Sequence, residues 1–180
     1  HAAFLEAANP REFRVLSMRL RPLCIGHWFL MERFGCGFAG VKKQSFEDLL
    51  LAVIICSQQP SKFSSGFELL VTAWILRFLT RKIIIPIEGL KFSSYLNYHR
   101  QFPSVTVDPN GRAMGAPEHW RLFAMLMSDF GMSYQEALDT HWLIANCLWA
   151  TEGERRNSFQ VTSASECEAL RDLIQSSKSS

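Results

Sequence analysis

The clearest pattern of hydrophobic and polar positions along the chain lies between residues 117 and 154. Mostly apolar residues recur there at the spacing of one helical face, first at Trp120, Phe123, Ala124, Met127 and Phe130, and again at Ala137, His141, Ile144, Ala145 and Leu148. Signals for helix ends agree with this spacing, because Pro117 suits a first helical position and Gly131 suits a left-handed cap. Ser133 and Glu136 have the spacing of a capping box. The pattern therefore predicts a pair of amphipathic helices.

The first part of the chain is less regular. Residues 13–23 alternate between apolar and polar side chains, although the alternation slips from Leu16 to Met18. This predicts an extended segment, with a helix that ends before Pro22 as the alternative. The apolar run at residues 24–34 is followed by glycines and predicts a short buried helix.

Two longer apolar helices are predicted in the middle of the chain. The first covers residues 46–59, because Ser45 and Asp48 approximate a capping box and an apolar run follows them. We expect it to be the most buried helix, and a core strand is the alternative. The second covers residues 67–80. Its apolar stripe consists of Phe67, Leu70, Val71, Trp74 and Phe78.

These elements belong to a predicted N-terminal helical block at residues 1–102. Its last helix is shorter, covers residues 90–102 and follows an apolar connector that Pro86 ends. Residues 103–117 are rich in proline, asparagine and glycine and predict a long loop. Loops of this length are usually functional or mobile.

The C-terminal part completes the predicted organisation. Residues 118–156 contain the helix pair, and residues 157–180 form a serine-rich, flexible tail with one short helical candidate at residues 166–174. We therefore predict an all-α fold, a compact bundle of about six helices with a long loop before the C-terminal pair.

Composition agrees with one folded domain. A chain of 180 residues with 48% hydrophobic positions can bury a core, and 19 basic against 17 acidic side chains argue against dedicated nucleic-acid binding. The longest apolar run, residues 49–56, is too short for a membrane span. The N-terminus does not resemble a signal peptide, and because the chain begins at His1 we expect its native start to lie upstream.

The five cysteines are odd in number and include no CxxC pair. Three of them lie inside apolar runs. This pattern favours reduced thiols that serve as small core residues in a cytoplasmic protein over a disulfide framework or a zinc site.

No catalytic motif stands out in the sequence. A nucleophile elbow, a GxGxxG motif, a Walker loop and an HExxH motif are all absent. Asp129, Glu136 and Asp139 lie close together around the helix junction, but a cap explains Glu136 and exposed polar positions explain the other two. We predict no enzymatic activity, no catalytic residue and no cofactor.

Histidines do not indicate a metal site either. His119 and His141 could meet if the helix pair packs antiparallel, yet the sequence offers no third ligand. His27 lies in the predicted buried helix, and we expect a backbone carbonyl to satisfy it. We therefore predict no metal ligand.

Two groups of basic and aromatic residues could contact nucleic acid. They are Arg11, Arg14, Arg19 and Arg21 in the extended segment, and Tyr95, Tyr98, His99 and Arg100 in the short helix. We interpret the first group as the polar face of the segment and the second as the rim of a core. A small nucleic-acid-binding regulator is nevertheless kept as an alternative function.

Two stretches of the sequence resemble bacteriophage and prophage proteins. LRPLCIGHWFLMERFGCGFAG, with FEDLLLAVIICSQ after it, resembles a pattern of LRP, GH, LLxRxG and DLLLAxxICS in uncharacterised proteins of that origin. PEHWRLFAMLMSDFGMSYQEALDTHWLIANCLWATEGE is similar to small proteins of the tail gene region with the pattern S(E/D)xGxSxxEALxxPxxxAxxLW, which are tail assembly chaperone-like. The chain departs from this pattern at Thr140 and His141, where the family often has an apolar or proline-containing pair.

The resemblance implies a chaperone that shields the apolar surface of a helical tape-measure protein until the tail tube polymerises around it. Such a protein needs an apolar groove and adaptable side chains, which methionine supplies. We predict that partner contacts are made by Met114, Trp120, Phe123, Met125, Met127, Met132, Trp142 and Trp149. The alternative for Met125 and Met127 is gap filling in a core.

The expected partners are phage tail or other virion proteins, and self-association is a further expectation; neither nucleic acid nor a membrane is expected. The expected location is the cytoplasm of the bacterial host, or the virion. A structural virion component, such as a connector or a minor head or tail protein, is the closest alternative function.

Overall fold

A computed structural model of the chain describes residues 11–40, 45–63, 66–79, 85–100, 105–107, 117–156 and 159–161. These residues contain seven α-helices: α1 Ile25–Arg33, α2 Phe46–Ser57, α3 Gly66–Leu79, α4 Ile85–His99, α5 Glu118–Ser128, α6 Tyr134–Asp139 and α7 Trp142–Arg155. They also contain two antiparallel pairs of short strands, β1 Phe13–Val15 with β2 Met18–Leu20 and β3 Val105–Val107 with β4 Phe159–Val161. The protein is therefore mostly helical, which confirms the all-α prediction in part, because short strand pairs accompany the helices.

The N-terminal extended segment is a β-hairpin. β1 and β2 pair in register from Phe13 with Leu20 to Val15 with Met18, and the two turn residues, Leu16 and Ser17, have φ values of 51° and 64°. Two residues with positive φ form the kind of tight turn that suits the twist of a hairpin. The turn explains the slip in the alternation, and the helical alternative for this segment is wrong.

Helix α2 lies at the centre of the core, as predicted. Its start is fixed by a capping box, in which the Ser45 hydroxyl accepts a hydrogen bond from the Asp48 amide (3.1 Å) and the Asp48 carboxylate accepts one from the Ser45 amide (2.9 Å). Side chains from nearly all round the helix are buried, namely Leu49, Leu50, Ala52, Val53, Ile54, Ile55 and Cys56. Helices α1, α3 and α4 and strand β2 all contact α2.

Helix α4 starts earlier than predicted. It runs from Ile85 to His99, so Pro86 lies in its first turn and does not end a connector. The fixed φ of proline suits that position, because the first amides of a helix have no partner within the helix.

Residues 117–156 contain three helices instead of the predicted two. Gly131, with a φ of 64°, separates α5 from α6, and the predicted capping box of Ser133 and Glu136 starts α6. The predicted second helix breaks at Thr140 and His141, which have extended backbone with ψ values of 128° and 135°. The prediction of one continuous helix after Ser133 is wrong.

Strands β3 and β4 lie in the ranges that were predicted as a loop and as a tail. They place regular structure within residues 103–117 and 157–180. The rest of the predicted tail from residue 162 onwards, including the helical candidate at residues 166–174, lies outside the described residues, as does Met114.

The predicted apolar stripe of α3 faces solvent where its side chains are described. Leu70 is 71% exposed and Trp74 is 67% exposed, whereas Ala73 and Leu76 pack against the main core. Helix α3 is apolar on nearly every side, so the spacing of its apolar residues could not indicate which side would be buried. None of the helices in the described part of the chain is both long and apolar enough to cross a bilayer.

Two leucine-to-alanine substitutions should differ in their effect on stability, because one leucine lies in the core and the other on the exposed face of α3. Leu126→Ala removes a fully buried side chain of α5 and should lower the free energy of unfolding by about 2–5 kcal/mol, because it leaves a cavity. Leu70→Ala is the matched control on α3 and should change it by less than about 1 kcal/mol. Urea unfolding of both variants measures the difference. Equal losses would contradict the exposure of Leu70.

Candidate functional site

A cleft of about 510 Å³ lies between α1, α5, α6 and the 3₁₀ turn Pro60–Lys62. Its volume is within the range of ligand-binding pockets. The lining residues belong to helices, to this turn or to their ends and are mostly apolar: Gly26, Phe29, Leu30, Glu32, Arg33, Phe34, Pro60, Phe63, Trp120, Phe123, Tyr134 and Leu138.

Aromatic rings form the walls of this aromatic cleft. The ring of Phe29 meets those of Trp120 and Phe123 nearly edge-on, with centroids 4.5 Å and 5.2 Å away. Phe123 in turn meets Tyr134 at 5.4 Å in the same geometry. Edge-to-face contacts are favoured by the ring quadrupoles and fix the orientation of each ring. The walls are therefore preformed, although Trp120 is still 49% exposed.

A close approach of three backbone segments forms the base of the cleft. A Cβ atom added at Gly26 would lie 2.4 Å from the Cβ of Pro60 and 2.9 Å from the carbonyl oxygen of Leu138. Only glycine fits at this point of α1 without a shift of its neighbours. Gly26 thus allows the 3₁₀ turn and α6 to pack directly on α1.

Asp139 ties the same turn to α6. Its carboxylate accepts hydrogen bonds from the Ser61 amide (3.0 Å), the Ser61 hydroxyl (2.5 Å) and the side-chain amide of Gln59 (2.5 Å). Burial acts to raise the pKa of Asp139, but these hydrogen bonds hold it below its ordinary value. Asp139 therefore positions the wall of the cleft.

Two charged groups line the edge of the cleft. The Glu32 carboxylate contacts Nε2 of His119 at 2.9 Å, and the His119 ring packs edge-on against Phe29. Arg33 is exposed, and its guanidinium carbon lies 5.9 Å from the ring centroid of Phe34. The acidic group thus has a partner within the protein, whereas Arg33 forms no ion pair with any described residue.

The predicted apolar face of α5 is rotated relative to the observed buried face. Leu122, Phe123 and Leu126 are buried, whereas Trp120 and Met127 are 49% and 39% exposed. Periodicity found the helix correctly, but contacts with α1 and α7 decide which side of it is buried. Trp120 and Met127 form an apolar strip along the solvent side of α5, and Trp120 joins this strip to the cleft.

The structure brings together some of the predicted contact residues but not all. Trp120 and Phe123 line the cleft, and Met127 lies on the adjoining strip. The other described contact residues pack against or within the main core. Met125, Met132 and Trp149 are half-buried, and Trp142 is buried with its ring 5.5 Å from that of Trp28.

Several residues of the cleft were not predicted from sequence. They are Phe29, Phe34, Phe63 and Tyr134. The sequence contained a signal for Phe29 and Phe34. They lie in the apolar run at residues 24–34, which has more apolar residues than one buried face of a short helix requires. Nothing in the sequence indicated that these rings would meet those of α5.

The polar residues considered for chemistry have structural partners. His27 is fully buried, with Nδ1 accepting from the Cys24 amide (3.0 Å) and Nε2 lying 2.9 Å from the carbonyl oxygen of Gln58. This confirms the expected backbone partner. Burial lowers the pKa of His27 to about 4, so the ring is neutral at neutral pH. Asp129 pairs with Arg156 at 2.8 Å, and Glu136 caps α6.

A cysteine and a histidine meet at a second, smaller pocket of about 150 Å³. Cys24 and His141 line it together with Asp139, and their backbones form an isolated antiparallel bridge. Burial raises the pKa of the Cys24 thiol to about 12, which makes it a poor nucleophile. Within the described ranges, no three metal-binding side chains come together.

The aromatic group of α4 lies inside the protein. Tyr95, Tyr98 and His99 are all buried, and the Tyr95 hydroxyl donates a hydrogen bond to the carbonyl oxygen of Arg21 (2.9 Å). In this conformation the three rings are not accessible for stacking on bases.

Comparison with known proteins gives no relative for this chain: no protein-family model matches it, and no curated protein or solved structure does either.

Substitution of two glycines should test the close approach at the base of the cleft. Gly26→Ala should lower the free energy of unfolding by about 1–3 kcal/mol, because its methyl group would overlap Pro60. Gly89→Ala is the matched control in α4, where no atom lies within 4 Å of the added Cβ, and it should raise stability by about 0.5–1 kcal/mol. Thermal unfolding measures both. A neutral Gly26→Ala would show that the segments are not tightly packed.

Stability should also fall in mild acid because of buried histidines. Burial lowers the pKa of both His27 and His99 from 6.5 to about 4. Below pH 6.5 the unfolded chain binds protons that the folded protein does not, so the free energy of unfolding should decrease as the pH falls towards 4.

Denaturant unfolding between about pH 7 and about pH 5 measures this effect. His99→Phe retains the ring contacts with Tyr95 and Tyr98 and removes one titrating group, so it should make the decrease smaller. An unchanged slope in this variant would show that His99 titrates normally in the folded protein.

Proposed function

We propose that this chain acts through protein–protein contacts as a tail assembly chaperone of a bacteriophage or prophage. In this role the aromatic cleft shields an apolar helical segment of the tape-measure protein until the tail tube forms around it. The protein then works in the cytoplasm of the bacterial host and is absent from finished particles.

The observation that carries the proposal is a preformed aromatic cleft that continues into an exposed apolar strip. Trp120 and Met127 lie seven residues apart on α5, so the strip extends for about 10 Å, or two turns of a helix. Aromatic side chains that are held in place and partly exposed are typical anchors for a protein partner.

The walls of the cleft favour a helix as the occupant. All the lining residues come from helices, their ends or the 3₁₀ turn, so the cleft offers no strand edge to which a partner strand could be added. The cleft presents mainly side chains to the occupant, as do grooves that bind the apolar face of an amphipathic helix. A tape-measure protein, which is long and helical, carries such faces.

The assignment to a phage tail depends on the resemblance of two stretches of the sequence, described above. The second stretch contains α5, α6 and α7 and therefore supplies Trp120, Phe123 and Tyr134 of the cleft. The part of the chain that resembles chaperone-like proteins is thus the part that forms one wall of the cleft.

A structural virion component is the second candidate, and the exposed face of α3 favours it. Leu70 and Trp74 are 71% and 67% exposed on a helix that is distinct from the cleft. A building block of a particle needs contacts with more than one neighbour, and a second apolar surface would supply them.

Mass spectrometry of purified particles, together with a pull-down of this protein from infected cells, separates the two candidates. A chaperone should be absent from particles and should bring down the tape-measure protein. A constant number of copies per particle would contradict the chaperone function and support a structural role.

Substitution in the cleft should abolish capture of the partner. Trp120→Ala should reduce the amount of tape-measure protein in the pull-down by about tenfold or more, because a central aromatic anchor is lost. Leu70→Ala removes an exposed apolar side chain from α3 and should have no effect. If Leu70→Ala reduced capture and Trp120→Ala did not, the contact surface would be α3 and not the cleft.

A further inference from the structure

Arg33 is a cation at the edge of an aromatic site and has no acidic partner among the described residues. It lies in the last turn of α1, lines the cleft and is exposed. Glu32, the acidic residue of the same edge, already contacts His119 at 2.9 Å. None of the ion pairs among the described residues includes Arg33.

The surroundings of Arg33 strengthen its interaction with a negative charge on the occupant. The ring of Phe34 lies under its guanidinium, and Phe29 and Phe63 line the same cleft. An occupant that displaces water from such a site lowers the local dielectric constant, so that a charge pair formed there is stronger than one in open solvent. The guanidinium is planar and binds a carboxylate through two parallel hydrogen bonds.

Glu32 and Arg33 are the charged residues that line the cleft, and the Glu32 carboxylate already contacts His119. Lys62, at the end of the 3₁₀ turn, is a further exposed cation beside Phe63. A carboxylate on the occupant would therefore be attracted, whereas a cation in the same place would be repelled. Repulsion of the wrong partner contributes to specificity as much as attraction of the right one.

Building on the proposed function, we infer that the helical segment bound in the cleft carries a carboxylate beside its apolar stripe and that Arg33 pairs with this carboxylate. Aromatic contacts hold the apolar stripe, and Arg33 selects among apolar helices by charge. This selection distinguishes a segment of one partner from the many apolar helices of other proteins.

Binding of two synthetic peptides to the whole protein tests the inference. Both peptides are amphipathic helices of leucine and alanine, and they differ in one residue beside the apolar stripe, which is glutamate in one and lysine in the other. The unmodified protein should bind the glutamate peptide about five- to tenfold more tightly, as measured by fluorescence anisotropy of the labelled peptides. Added salt should reduce this preference.

Reversal of the charge at Arg33 should reverse the preference. Arg33→Glu should bind the lysine peptide more tightly than the glutamate peptide, whereas Arg33→Lys should retain the original order with a smaller ratio. Arg14→Glu is the matched control, because it changes the net charge equally at an exposed position of β1 that does not line the cleft. It should leave the ratio unchanged.

Trp120→Ala distinguishes failure of this inference from failure of the proposed function. A different result is that the protein binds both peptides equally well, loses this binding in Trp120→Ala and keeps it unaltered in Arg33→Glu. That result would overturn the role of Arg33 and leave the apolar cleft as a binding site. Binding of neither peptide would overturn both.

Discussion

The antiparallel contact between residues 23–25 and residues 140–142 is the constraint on which the rest of the structure depends. The Trp142 amide donates to the Leu23 carbonyl (2.6 Å), and the Ile25 amide donates to the Thr140 carbonyl (3.1 Å). Trp142 and Ile25 are the first residues of α7 and α1, whose amides have no acceptor within their own helices. One short ladder therefore satisfies the starts of two helices and joins the C-terminal helices to the N-terminal part of the core.

The cleft is a consequence of this junction. Once α1 and α7 start side by side, α6 is brought against Gly26, and Asp139 at its end reaches Ser61 in the 3₁₀ turn. Close packing at the base leaves the rings of α1 and α5 to meet above it, where they are only partly covered. The protein thus has a rigid apolar surface that its own described residues do not fill, and the proposed function uses this surface.

The polar groups with shifted pKa values serve the fold. Burial keeps His27 neutral between two backbone partners, and it keeps Cys24 protonated. Asp139 and Glu88 are each held by hydrogen bonds that link distant segments, Asp139 to the 3₁₀ turn and Glu88 to the Leu16 amide of the hairpin turn. At the cleft, the partly exposed rings and the Arg33 guanidinium remain available to a partner, and the proposed contacts use these groups.

The sequence by itself determined the starts of α2 and α6, because a capping box joins groups that are three residues apart, as in Ser45 with Asp48 and Ser133 with Glu136. Tertiary structure decided which faces of α3 and α5 are buried, since both helices have apolar residues on more than one side and only contacts with other helices select one. It also decided the break at Thr140 and His141 and the pairing of β3 with β4, which need partners far away in the chain. Tertiary structure likewise decided the cleft. Its rings come from α1, α5, α6 and the end of the 3₁₀ turn, and local sequence patterns do not indicate contacts between such distant segments.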